Sequence, residues 1–184
     1  MLTKAGNHVT STSHLTERRH ILKLCVAATS ILAVCGGISI WLPRPIGYDG
    51  RLAPPARDLF RAIAIAVLRG SLPTVGLDRL NQIDAHIVRL EAVLAAFPAA
   101  TRSELGVLIS LLNNAAGRFA ITMLRKPWVD LDEAETSAAL EMMRNSSSTL
   151  RQQTYHALRD LTNVAFYAEP QAWSLMGYPG PTTV

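Results

Sequence analysis

LDRLNQIDAHIVRLEAVLAAF, residues 77–97, decides the fold. Leu80, Ile83, Ile87, Leu90 and Leu94 recur at alternating spacings of three and four, the period of one helix face. Asp78, Arg79, Gln82, Arg89 and Glu91 fall on the opposite side, where water solvates them. Pro98 follows and stops the helix.

The same period extends in both directions. Upstream, a first helix is predicted from about Ala56 to Arg69, with Phe60, Ile63 and Val67 on one face and Gly70 closing it. Downstream, Thr101-Arg102-Ser103-Glu104 has the form of a capping box. A third helix is expected from there to about Leu124, with Leu105, Leu108, Leu112, Phe119 and Met123 inward. Asn113 and Asn114 interrupt it, either as core amides or as a break. Asp130-Leu131-Asp132-Glu133 opens a fourth helix with acids at its positive end, and Ala138, Met142 and Met143 are its expected inner contacts. Thr149 opens a fifth, where Leu150, Leu158, Leu161 and Ala165 share a face. Glu169-Pro170 begins a short turn carrying Trp173, and Gly177-Tyr178-Pro179-Gly180-Pro181 ends the pattern. The fold class is therefore all-α: a single bundle of about five helices over residues 56–184. A hydrophobic content of 49% supplies its core.

Ahead of the bundle, residues 43–55 are rich in Pro and Gly and read as an extended linker. Residues 1–42 differ again. A polar, Ser/Thr-rich stretch ends at Arg18-Arg19-His20-Ile21-Leu22-Lys23, and an apolar run from Leu24 to Leu42 follows. Paired arginines, an apolar residue two positions on, Leu22 and Lys23 resemble the twin-arginine export signal, with Glu17 replacing the usual Ser/Thr. The targeting residues on this reading are Arg18, Arg19, Ile21, Leu22 and Lys23. The run is 19 residues long, enough to span a bilayer, so a retained transmembrane anchor stands beside a cleaved signal. Either way the body is expected in the periplasm, free or anchored to the inner membrane through residues 24–42.

Charge narrows the partners. Lys4, Arg18, Arg19 and Lys23 precede Pro43 against Glu17 alone, leaving 14 basic and 13 acidic residues in the remainder. The body is nearly neutral and has no concentrated basic face, so nucleic acid is not an expected partner. Cys25 and Cys35 both lie in the apolar run, so the body has no disulfide framework.

No catalytic, cofactor or metal site is expected. Asp84 and His86 are two apart and cannot form a helical metal pair. His156, with Tyr155 and Asp160, is the one constellation on which an enzyme could be built; an i, i+4 hydrogen bond to Asp160 is the plainer reading. Asp130, Asp132, Glu133 and Glu135 lack the oxygen-rich loop of a calcium site and suit a helix start. Ser146-Ser147-Ser148 is expected to cap a helix. Phe166 to Pro181 instead concentrates aromatic side chains on a proline-stiffened backbone, which suits a docking surface built from Tyr167, Trp173, Tyr178, Pro179 and Pro181. The same aromatics can fold back to seal one end of the bundle, and the two roles are compatible.

Taken together, the twin-arginine leader, the helical body, Tyr155-x-x-Leu158 with Leu161, and Trp173-x-x-x-Gly177-Tyr178-Pro179-Gly180-Pro181 resemble one family. It is the small subunits of periplasmic flavin-dependent sugar and alcohol dehydrogenases, of the gluconate 2-dehydrogenase subunit 3 type. The resemblance implies a non-catalytic subunit that escorts a folded, FAD-binding large subunit of the glucose–methanol–choline (GMC) type through the twin-arginine translocase. FAD then belongs to the partner, this chain holds no cofactor, and a cytochrome c subunit often accepts the electrons. A membrane-tethered periplasmic scaffold with an unrelated partner is the alternative.

Overall fold

The computed structural model describes residues 44–73, 76–173, 177 and 179. Within them the chain is an all-α bundle: α1 Pro54–Val67, α2 Leu77–Ala96, α3 Ala99–Asn113, α4 Ala115–Thr122, α5 Glu133–Arg144 and α6 Thr149–Tyr167, closed by the single-turn α7 Pro170–Trp173. A 3-10 turn, Trp128–Asp130, joins α4 to α5. The described residues include no strand, only an isolated antiparallel bridge between Ile46 and Leu52.

α1 is the central helix, packed on α2, α3, α5, α6 and the 3-10 turn. Its sequence suits that position, because Ala56, Ala62 and Ala64 let neighbours approach while Leu59, Phe60 and Ile63 fill the space between them. Each of those three large side chains is fully enclosed, a gain of about 1.5–3 kcal/mol apiece. Pro54 and Pro55 occupy the first turn, where the amide hydrogen that proline lacks has no intrahelical partner anyway.

Residues 44–53 are not the free extended linker that their composition suggests. Ile46 and Leu52 are buried in the main core. The Gly47 and Ala53 amides donate to the Arg51 and Pro45 carbonyls, and the Leu52 amide donates to Glu91 Oε1 at 3.0 Å. Glu91 also accepts from Arg57, at 2.8 Å to Nη2, so one carboxylate joins this strap, α1 and α2. Gly50 makes the fit possible. Its φ is +83°, and a Cβ there would stand 2.5 Å from the Ala95 nitrogen.

Pro98 both stops α2 and serves as the N-cap residue of α3, which starts at Ala99. The expected capping box at Thr101–Glu104 therefore lies inside the helix and caps nothing. Arg102 turns back instead and donates to the Ala95 and Phe97 carbonyls at the end of α2.

The expected third helix is two helices meeting at 93°. Asn114 makes the break, its Oδ1 accepting from the Ala116 and Gly117 amides to cap α4. Gly117 is needed there, because a Cβ would lie 2.4 Å from the Leu111 carbonyl oxygen. The change of direction corrects two core assignments: Leu105, Leu108 and Leu112 are buried, but Phe119 and Met123 are exposed. Trp128 closes the corner by donating its indole N–H to the Leu112 carbonyl at 2.9 Å.

In α2, Ile83, Ile87, Leu90 and Leu94 are buried as the period predicts, while Leu80 is 59% exposed. α5 starts at the acids as expected, with Asp132 and Glu135 forming a capping box that the sequence reading did not name, but Ala138 faces water. The inner face is Thr136, Ala139, Leu140 and Met143, with Met142 half-buried.

Candidate partner-docking site

The C-terminal end of α6 carries the site residues that the structure describes. α6 brings Phe166 and Tyr167 to its last turn, with rings edge to face at 5.2 Å. α7 then reverses the chain, and Trp173 Nε1 donates to the Tyr167 carbonyl at 2.8 Å. That bond satisfies one of the orphan carbonyls at the end of α6 and fixes the indole against it. Trp173 is half-buried, so it folds back onto the bundle end while part of its ring still meets solvent. Tyr167 is half-buried too, beside a small core of Ala64, Leu68, Phe166 and Ala172. Pro179 is exposed. Tyr178 and Pro181, and the targeting residues Arg18, Arg19, Ile21, Leu22 and Lys23, lie outside the described residues.

A groove of about 480 Å³ opens beside this end, between the 70–73 turn, α2 and the α6–α7 junction. Arg89 crosses it from α2, donating to the Ala165 carbonyl at 3.2 Å and approaching Glu169 at 3.5 Å. Beneath, His86 is fully buried, its ring tilted at 51° to Phe166 with centroids 6.5 Å apart. Neither imidazole nitrogen has a hydrogen-bond partner among the described residues. Burial chiefly, and the positive Arg89 secondarily, pushes its pKa down from 6.5 to about 4, so it is neutral at physiological pH. The one local signal for this burial is that His86 shares a helix face with Ile83, Ile87 and Leu90.

The polar groups singled out from sequence are dispersed. His156 is exposed and stacked edge-on to Tyr155 at 5.2 Å. Asp160 does not bond it, its Oδ1 accepting instead from Arg159 at 3.0 Å. In the acidic cluster, Asp132 caps α5, Glu133 pairs with Arg69 and Arg79, and Glu135 pairs with Lys126. The Lys126 ammonium holds the Glu135 carboxyl below its usual range. Ser146 Oγ accepts from the Ser148 amide within the α5–α6 turn. Among the described residues no three His, Cys, Asp or Glu side chains converge as metal ligands would. No single described helix is long and apolar enough to cross a membrane. The chain was compared with protein-family models, curated proteins and solved structures, and none of them matches it.

Proposed function

We propose that this chain is the non-catalytic small subunit and twin-arginine export escort of a flavin-dependent dehydrogenase of the GMC type. The observation that carries the reading is the pairing of Arg18-Arg19-His20-Ile21-Leu22-Lys23 and its apolar run with a helical body ending in the Trp173-to-Pro181 motif. A flavin is inserted during folding, so a flavoprotein must cross the membrane folded, and a subunit carrying the twin-arginine signal can bring it through. Such a subunit needs a signal and a stable docking surface. Tyr167 and Trp173 are half-exposed, and Trp173, braced by its bond to the Tyr167 carbonyl, suits the second requirement because little of its side-chain entropy is left to lose on binding.

The test is a pull-down of the C-terminally tagged chain from its native host, read by mass spectrometry and flavin absorbance. A large yellow partner in roughly equal amount is the expected result, and Trp173→Ala should weaken its binding by about 2 kcal/mol. Arg18→Lys with Arg19→Lys should trap both proteins in the cytoplasm. A colourless chain isolated alone, or a partner still exported in the double variant, overturns the escort role; the former leaves the tethered scaffold.

A further inference from the structure

Arg44 and Pro45, where the described chain begins, separate two grooves. One, of about 380 Å³, is lined by Arg44, Tyr48, Arg102, Ser103 and Gly106 among others. The second, of about 330 Å³, is lined by Arg44, Pro55, Ser110, Asn113 and their neighbours. Neither lining includes an acidic side chain. Two acids adjoin these linings in sequence: Asp49, which Arg51 engages 3.4 Å from its Nε, and Glu104, which follows Ser103 but lines neither groove. Arg44 stacks over the Tyr48 ring at 5.2 Å and donates to its hydroxyl, and Tyr48 is 83% exposed. Arg102 uses Nη1 for the α2 carbonyls, and its Nε and Nη2 have no protein partner among the described residues.

The chain preceding this face says what it meets. The apolar run ends at Leu42, two residues before Arg44. Two residues reach at most about 7 Å. The headgroup layer on each side of a bilayer's hydrocarbon is about 5–7 Å thick. With residues 24–42 in a bilayer, Arg44 stands at the depth of the lipid phosphates, and the docked strap holds Tyr48 and Arg102 in the same cluster. Guanidinium groups and an interfacial tyrosine are the side chains that such a layer recognises.

We propose that Arg44, Tyr48 and Arg102 form a binding face for anionic phospholipid headgroups, seating the bundle on the membrane that holds the apolar run. The proposal rests on the membrane association of residues 24–42 and on nothing about the dehydrogenase partner.

The experiment is amide hydrogen exchange on the full-length chain, reconstituted in vesicles of phosphatidylcholine alone or mixed with phosphatidylglycerol. Exchange at residues 44–53 should slow several-fold in the anionic vesicles and recover when salt is raised. Arg44→Gln, which alters no core contact, should remove about a fivefold share of that protection. Arg125→Gln, whose guanidinium lies over Phe119 and lines neither groove, should remove none. Equal exchange in the two lipids overturns the proposal, as does an equal loss in both variants, which would mean nonspecific charge. Native mature protein lacking residues 24–42 overturns it too. A chain that captures no flavoprotein yet keeps lipid-dependent protection fails the escort reading and retains this one.

Discussion

His86→Leu should stabilise the bundle, and more so as the solution is made acidic. At neutral pH the replacement removes two buried nitrogens without partners, each polar group of that kind costing about 1–3 kcal/mol. Imperfect fit of the new side chain can offset part of this, by about 1–3 kcal/mol, but that offset does not depend on pH. The pH-dependent part is separate. The imidazole has a pKa of about 4 in the folded chain and 6.5 when exposed, so between those values the unfolded chain binds the extra proton. Stability associated with His86 is thus complete above about pH 6.5, falls as pH drops, and levels off below about pH 4. At about 1.4 kcal/mol per unit the window amounts to about 3 kcal/mol. Urea unfolding of both chains in non-ionic detergent, followed by far-ultraviolet circular dichroism from about pH 7 to about pH 4, measures it. Taking the difference between the chains cancels the carboxylates that titrate in both. A variant-minus-parent difference that stays constant across the window would refute the argument, because it would mean that the imidazole is hydrated or paired in the folded chain.

Two further substitutions probe the joints of the fold. Trp128→Phe keeps the ring but strands the Leu112 carbonyl at the α3–α4 corner, and a loss of about 1–2 kcal/mol in unfolding free energy is expected. Gly50→Ala meets a left-handed backbone and the Ala95 nitrogen at once; it should speed hydrogen exchange across residues 46–53 at least tenfold, leaving α6 unchanged.

Periodicity carried the helices a long way. α1, α2 and α6 stand where the spacing of apolar residues placed them, to within about two residues, because burial of one face decides such elements. It failed where a local hydrogen bond outweighed the pattern. Leu105, Leu108, Leu112, Phe119 and Met123 read as one apolar face, yet the Asn114 side chain caps a new helix and turns Phe119 and Met123 outward. Spacing is equally silent about how far neighbouring helices extend. Leu80 continues the stripe of Ile83 and Ile87, but the first turns of α2 lie beyond the cover that encloses those two. The candidate site follows the same division. Tyr167 and Trp173 were visible as aromatics near prolines, whereas Arg89 crossing to Ala165 and His86 beneath Phe166 join residues about eighty positions apart, which no local pattern encodes.

The strap has the largest consequence for function. Thirteen flexible residues between the apolar run and the bundle would span about 20 Å on average, leaving the body free to tumble well clear of a bilayer. Docking shortens that reach to the two residue steps from Leu42 to Arg44, about 7 Å at most. The energy holding it is substantial: Ile46 and Leu52 are each more than nine-tenths buried, contributing about 1.5–3 kcal/mol apiece, and Glu91 adds a charge-assisted bond to the Leu52 amide. A body held this closely cannot offer the Arg44 side to a large folded partner while the apolar run sits in a membrane. On the proposed escort reading a partner would then approach surfaces away from the strap, and the α6–α7 end with Tyr167 and Trp173 lines neither of the strap's grooves. The proposed membrane seating and the proposed partner docking thus fall on different residues, and Arg44→Gln and Trp173→Ala should disturb them separately.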